Sequence, residues 1–130
     1  MEISEKIAYW LDIAEYDMET AQSMHKNGRY LYAVFMCQQA TEKMLKALHM
    51  QKYNNEAPFT HNLVYLLSLL NLKLSEDYNT TAATLTTYYI EGRYPSYKNK
   101  LSTLVDCDRS NVLVKKTEDL FAWLKSQLQL

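Results

Sequence analysis

Apolar residues recur every three or four positions over most of the sequence, and this spacing predicts helices. The first helix is predicted from about Ser4, which would cap it, to Lys26, and Gly28 is the left-handed residue expected after its end. Its apolar stripe contains Ile3, Ile7, Trp10, Ala14, Met18 and Ala21. Asp17 falls inside this stripe, and a carboxylate that faces a core needs a partner or must lose its charge.

A second helix is predicted over residues 30–53, and its apolar side chains cover a wide arc that includes Cys37. An arc of this width indicates contact with more than one neighbour, so we expect the central helix of a bundle. Gln38 also lies in the arc and should point inward. The inward Asp17 is expected to accept a hydrogen bond from Gln38, Arg93 or a tyrosine. The remaining face of the helix collects Gln39, Glu42, Lys43 and Lys46.

Three further helices complete the predicted fold, and they cover about residues 61–72, 76–91 and 109–127. We expect Thr60 to cap the third helix and Ser75 to cap the fourth, which Gly92 should end. Residues 93–108 are predicted to form a loop. The predicted fold class is therefore all-α, an up-and-down four-helix bundle with an additional short helix, in a single domain over residues 1–130.

The composition excludes several classes of protein. The 130 residues include 2 Gly and 2 Pro, too few for the turns of a β-sandwich or for a glycine-rich phosphate loop. The 2 Cys and 3 His lack the spacing of a metal site, so we expect neither a metal nor a cofactor. No apolar run approaches the ~18 residues of a membrane span, and we expect a cytoplasmic protein without membrane contact.

A formal net charge of -1 conceals two basic stretches, over residues 25–52 and 92–116. If folding brings them together, they form a patch that attracts phosphates. The alternative is that these charges lie on solvated helix faces.

The segment over residues 88–98 is the most unusual, because it combines four tyrosines with Arg93 and a lysine. Arginine contacts phosphate through two donors, and a tyrosine ring offers a face on which a base can stack. The predicted ligand-binding residues for a nucleotide or phosphate are Arg93, Tyr94, Tyr97, Lys98, Lys100, Lys43 and Lys46. The alternative for Arg93 is structural, because a cation at a helix C-terminus is stabilised by the helix dipole.

His61 is expected to begin the third helix, where the dipole favours its neutral form. We therefore interpret His61 as a hydrogen-bonding structural residue, like Asp17 and Gln38, and the alternative is a catalytic base. No catalytic residue is assigned.

Several pieces of the sequence together resemble the HEPN domain, the higher eukaryote and prokaryote nucleotide-binding domain. They are Asp17, Gly28–Tyr30, Gln38–Ala47, Thr60–Leu63 and Arg93–Pro95, and the resemblance covers about residues 4–126. It implies an all-α up-and-down bundle that is usually a homodimer. Such small proteins are commonly encoded beside a minimal nucleotidyltransferase and form a two-component complex with it, often of the toxin–antitoxin type.

Many HEPN proteins are metal-independent ribonucleases whose motif is an Arg followed by a His after four to six intervening positions. In that motif the Arg stabilises phosphate charge and the His transfers protons. In this sequence no His stands at that distance after Arg29, Arg93 or Arg109. The positions after Arg93 hold Lys98, Asn99 and Lys100.

The missing histidine favours a non-catalytic subunit that binds a nucleotide or an RNA phosphate, forms a homodimer and partners a nucleotidyltransferase. A first alternative is a degenerate ribonuclease toxin that uses Arg93 with His61 or a tyrosine. A second alternative is a purely structural interaction module, whose tyrosine-rich face makes a protein interface.

Overall fold

The computed structural model describes residues 2–93, 103 and 105–129, and these residues include five helices of defined bounds and no strand. Thr103, within the predicted loop over residues 93–108, is also helical. The helices are α1 (Ile3–Lys26), α2 (Tyr30–Tyr53), α3 (Leu63–Leu70), α4 (Glu76–Glu91) and α5 (Cys107–Ser126). The predicted all-α fold class is confirmed. None of these helices is long and apolar enough to cross a bilayer.

Helix α2 lies at the centre of the bundle, because it packs against each of the other four helices. The short connection between α1 and α2 makes them antiparallel neighbours, and α5 closes the bundle by packing against α1 and α4. The short helix α3 covers α2 and α4 at one side. The prediction that the second helix is central is therefore confirmed.

All five helices contribute side chains to one main core. Helices α1 and α2 pack against each other, and many of their buried residues are small, which lets helix backbones approach closely. The fully buried alanines of these two helices are Ala14, Ala21, Ala33, Ala40 and Ala47. Larger apolar side chains, such as Met44 and Leu45, fill the space between α2 and the other helices.

The helix caps in the structure match those predicted from the sequence at some helix ends and differ from them at others. Gly28 has a φ of 76°, the left-handed conformation that the sequence predicts after α1, and the Ser75 hydroxyl accepts from the backbone N–H of Tyr78. The expectation for Ser4 is wrong, since α1 begins at Ile3 and its N-cap is Glu2, which makes no side-chain capping bond.

Helix α3 begins two residues later than the sequence predicts, because Asn62 rather than Thr60 is its N-cap. The Asn62 side chain accepts from the N–H of Tyr65, and the left-handed Asn71 follows the helix end. The N–H of Leu63 is satisfied by Thr86 of α4 at 3.1 Å. As a consequence, His61 lies just before α3 rather than in its first turn.

Helix α5 begins at Cys107, two residues before the predicted start. The Asp106 side chain accepts from the N–H of Arg109 at 2.8 Å and so caps the first turn. An aspartate N-cap is common, and the structure shows that Asp106 rather than the nearby Asp108 caps this helix.

Candidate functional site

A buried carboxylate holds the ring of His61 in place. The Nδ1 atom of His61 lies 2.8 Å from Oε1 of Glu42, whose side chain is 2% exposed, whereas the His61 side chain is 31% exposed. The amide nitrogen of Gln38 donates to the same Glu42 oxygen at 3.0 Å and to the backbone carbonyl of His61 at 2.8 Å. His61 is therefore fixed through both its ring and its backbone, while part of its ring faces solvent.

Glu42 remains ionised in this setting. Burial raises the pKa of its carboxyl, but the hydrogen bonds from His61 and Gln38 and the charge of Lys46 outweigh that effect and hold the pKa below its ordinary value. The Lys46 ammonium lies 3.1 Å from Oε2 of Glu42. Because an ionised carboxylate only accepts hydrogen bonds, the Nδ1 atom of His61 carries a proton, and in the neutral ring Nε2 is the acceptor.

The ring of Tyr89, near the end of α4, contacts both His61 and Arg93. Its centroid is 4.9 Å from the His61 ring and 5.5 Å from the guanidinium carbon of Arg93. Phe35 of α2 contacts the same ring at 5.9 Å and also packs against Gly92, which ends α4. The end of α4, and with it Arg93, is thereby positioned against α2.

Arg93 is exposed, and within the described part of the chain no carboxylate forms an ion pair with it. We refer to Glu42, His61, Tyr89 and Arg93 together as the Arg93–His61 site. The sequence identifies Arg93 and His61 as candidates, and the structure brings both of them into contact with one tyrosine ring.

Two further aromatic residues border the site. Phe59, in the loop before α3, is 92% exposed, and its ring lies 6.0 Å from that of His61. The Lys46 ammonium lies 5.8 Å from the Phe59 ring centroid and 5.3 Å from that of Trp10. Lys46 therefore contacts two rings while it pairs with Glu42.

A chain of hydrogen bonds connects α1 to the site through the surface of α2. The Lys43 ammonium donates to Asp17 at 3.2 Å and to the Gln39 side chain at 2.9 Å, and Gln39 donates to Gln38 at 2.7 Å. Among the described residues, the donor to Asp17 is thus Lys43 rather than the Gln38 or Arg93 that the sequence suggests. Gln38 is linked to Asp17 only through the two intervening side chains.

The remaining predicted ligand-binding residues have different positions. Lys43 and Lys46 are 17% and 14% exposed, and each pairs with a carboxylate, so less of their charge is available to a phosphate than the sequence suggests. Tyr94, Tyr97, Lys98 and Lys100 lie outside the described residues. Their predicted role stays a prediction.

Sequence reasoning did not assign Glu42, Tyr89 or Phe59 to a site, although Tyr89 is one of the four tyrosines in the segment over residues 88–98. It placed Glu42 on the remaining face of the second helix, although Glu42 follows the inward Gln38 by four positions and therefore shares its side of the helix. That spacing is a signal that could have identified Glu42. The contacts of Tyr89 and Phe59 depend on how α4 and the loop pack, and local spacing does not report them.

The other candidate chemistries have less support. Burial raises the pKa of the Cys37 thiol to about 12, despite a hydrogen bond with Thr117, so this thiol is unreactive. Cys107 is exposed at the start of α5. Within residues 2–93, 103 and 105–129, no three His, Cys, Asp or Glu side chains are grouped closely enough to hold a metal ion.

Solved structures with the same fold come from bacteria and archaea. The protein TT1696 of Thermus thermophilus is similar with a TM-score of 0.82 and 25% identity, over 95% of this chain and 98% of that chain. An archaeal HEPN homologue has a TM-score of 0.76 and 21% identity over 99% of both chains. A HEPN domain protein of Thermotoga maritima has a TM-score of 0.70 and 24% identity, over 92% of this chain and 99% of that chain.

A search of curated protein sequences found no match. The family model of the HEPN domain, however, matches residues 7–127, which is nearly the whole chain. The matched range includes all of the Arg93–His61 site. On this evidence, the chain belongs to the HEPN domain family.

Proposed function

We propose that this protein is a binding subunit for the phosphate of a nucleotide or of RNA, and that Arg93 is its principal contact with the anion. The observation that carries the proposal is that the Arg93 guanidinium is exposed, lies over the Tyr89 ring and has no carboxylate partner among the described residues. A guanidinium in this position keeps its donors available for a bidentate contact with phosphate.

Other residues support this role for Arg93. His61 contacts the same tyrosine ring, and its side chain is 31% exposed, which adds a hydrogen-bonding group near the proposed anion position. Tyr94, Tyr97, Lys98 and Lys100 follow Arg93 in sequence, and we assign them supporting contacts with base and phosphate. Lys43 and Lys46 contribute long-range attraction only, because Asp17 and Glu42 already pair with them.

Equilibrium titration with ATP, GTP and a short single-stranded RNA tests the proposal. Arg93→Ala should weaken binding about 10- to 100-fold, since charge-assisted hydrogen bonds are lost. The matched control is Arg109→Ala, because Arg109 lies over the Tyr88 ring at 5.9 Å in a similar ring contact outside the site. Millimolar or weaker binding of every probe, or equal effects of the two substitutions, would contradict the proposal.

A ribonuclease is the second candidate, and the Glu42–His61 hydrogen bond is the observation that favours it. A carboxylate that holds Nδ1 of an imidazole leaves Nε2 to act as a general base, here toward a ribose 2′-hydroxyl. Arg93, which contacts the same Tyr89 ring as His61, would stabilise the charge on the phosphate. The spacing of these two residues in sequence differs from the family's ribonuclease motif.

Incubation of a single-stranded RNA with the protein in the presence of a chelator separates the two candidates. A ribonuclease should release fragments that end in a cyclic phosphate, and His61→Gln should abolish the cleavage without preventing binding. Binding without any cleavage leaves the protein as a binding subunit only.

The family resemblance also leads us to assign a homodimer and a minimal nucleotidyltransferase as partners in a two-component system. Sedimentation should give twice the mass of one chain. A nucleotidyltransferase encoded beside this protein should copurify with it when the two are expressed together. A monomer, or no complex between the two purified proteins, would remove this part of the proposal.

A further inference from the structure

Phe59 is the most exposed large apolar side chain that the structure describes, at 92%. Single exposed apolar residues are common on protein surfaces, so exposure alone indicates nothing. Its position gives the exposure a possible use: Phe59 lies at the edge of the Arg93–His61 site, where His61 and Lys46 both contact its ring.

The two contacts leave most of the Phe59 ring open. The His61 ring approaches at 6.0 Å with an interplanar angle of 61°, which is an edge contact, and the Lys46 ammonium lies 5.8 Å from the ring centroid. Both neighbours are themselves held by the buried Glu42. The two groups beside the ring are therefore fixed, and the exposed face of the ring is free to accept a flat ligand.

Ring contacts continue from Phe59 to Arg93. Phe59 contacts His61, His61 contacts Tyr89 at 4.9 Å, and Tyr89 contacts the Arg93 guanidinium at 5.5 Å. The exposed Phe59 ring and the exposed Arg93 cation are thus connected through the rings of His61 and Tyr89. Proteins that bind single-stranded nucleic acid use this combination: an aromatic ring stacks on a base, and a cation contacts the phosphate backbone.

We propose that Phe59 is the platform on which an unpaired base of the ligand stacks while Arg93 holds a phosphate. This inference rests on the phosphate-binding function proposed above, and it narrows the ligand to single-stranded nucleic acid. Inorganic phosphate and a paired duplex lack an accessible base face. They should therefore bind more weakly than an unpaired strand of similar charge.

Fluorescence anisotropy with two labelled probes tests this inference. One probe is a short oligoadenylate, and the other has the same ribose-phosphate backbone without bases. The wild-type protein should bind the oligoadenylate about 5- to 150-fold more tightly, which is the usual contribution of one base stacked on an aromatic side chain. In Phe59→Ala the oligoadenylate should bind no more tightly than the abasic strand, whose own binding should be unchanged. Phe59→Trp should preserve the ratio.

The matched control is Tyr16→Ala, since Tyr16 is a 71% exposed ring on α1, a helix that contributes no residue to the Arg93–His61 site. Circular dichroism establishes that each variant is folded. If Arg93→Ala weakens binding but Phe59→Ala keeps the ratio of the two probes, the stacking inference fails and the phosphate-binding function stands. If neither probe binds, both fail. If Phe59→Ala instead lowers the sedimenting mass, a second copy of the chain covers the ring and the inference is wrong.

Discussion

Glu42 keeps its negative charge although its side chain is 2% exposed, because three donors surround it. His61 and Gln38 share one carboxylate oxygen, and Lys46 takes the other. A buried charge is tolerated only with partners of this kind. Each donor also has a second contact, so Glu42 organises the surface of α2, the loop before α3 and the Phe59 ring together.

We expect Glu42→Gln to destabilise the protein by about 1–3 kcal/mol at neutral pH, since two hydrogen bonds to a charged group are weakened and Lys46 loses its partner. The pKa of the Glu42 carboxyl is lowered in the folded protein. The stability that ionised Glu42 gives the folded protein is therefore fully present when the pH is above the ordinary pKa of a glutamate, about 4.3. It is lost as the pH falls below that value and through the lowered pKa of the folded protein.

Urea unfolding of wild type and Glu42→Gln between acidic and neutral pH measures this effect. The difference between the two free energies of unfolding should shrink as the pH falls below about 4. The control is Glu15→Gln, because the Glu15–Lys125 pair is exposed, with side chains 42% and 49% accessible, and its removal should cost less than about 1 kcal/mol. A difference that does not change with pH would contradict the role given to Glu42.

The Asp17–Lys43 pair should contribute more than an exposed pair does. Its side chains are 13% and 17% accessible, so Asp17→Leu leaves a half-buried ammonium without its carboxylate. We expect a loss of about 1–3 kcal/mol in the free energy of unfolding. Unchanged thermal stability would indicate that solvent replaces Asp17 without cost.

A double-mutant cycle with Asp17→Asn and Lys43→Met isolates the coupling of this pair. The Asp77–Lys116 pair provides the comparison, because its side chains are 62% and 42% accessible at 2.8 Å. We expect the coupling of Asp17 and Lys43 to exceed that of the exposed pair, which should lie below about 1 kcal/mol.

The ends of the helices depend on packing as well as on local sequence. Thr60 and Asn62 are both good N-cap residues, so the sequence alone does not choose between them. The folded chain chooses Asn62, because Gln38 holds the backbone of His61 and Thr86 accepts from Leu63. For helices with a long apolar repeat, such as α1 and α2, the sequence predicts both ends to within one residue.

Gly92 is needed at the end of α4 because a Cβ atom there would collide with the ring of Phe35. We expect Gly92→Ala to destabilise the protein by about 1–3 kcal/mol, as overpacking does, and to weaken ligand binding by displacing Tyr89. Denaturant unfolding and RNA titration measure the two effects. Phe35→Leu should restore part of the loss in the double variant, since the shorter side chain makes room.

Gly28→Ala is the appropriate control for this substitution. Gly28 has a φ of 76° with open space around its Cβ position, so an alanine there is strained by about 1–2 kcal/mol without touching the site. We expect it to lower stability and leave binding unchanged. If both glycine variants weaken binding equally, the contact between Phe35 and Gly92 does not position the site.

At the scale of the whole molecule, some residues of the site can be predicted from the sequence, but their assembly cannot. Arg93, His61, Gln38 and Asp17 are identifiable because each is a polar residue at a position where the helical repeat or a helix end makes it unusual. The assembly of the site depends on tertiary contacts between α2, the loop before α3 and α4. Phe59 carries no such local signal, because a phenylalanine in a loop is unremarkable until its neighbours are known.

Because the proposed site joins three segments, its ligand should bind the folded chain and stabilise it. At a ligand concentration about 100 times the dissociation constant, the expected gain is about 2.7 kcal/mol in the free energy of unfolding. Thermal unfolding with and without oligoadenylate measures this gain, and Arg93→Ala should remove it. Binding without any rise in the unfolding temperature would indicate that the ligand does not require the assembled site.

The buried alanines of α1 and α2 have a consequence for how these helices align. Small apolar side chains permit close approach, but they distinguish poorly between one register and another shifted by a helical turn. The Asp17–Lys43 link does distinguish them, since a shift of one turn would separate the two charges in a half-buried place. The same lysine is bonded through Gln39 and Gln38 to Glu42. A slipped hairpin would therefore misalign the anchor of His61, so correct pairing of the first two helices is a precondition for an intact site.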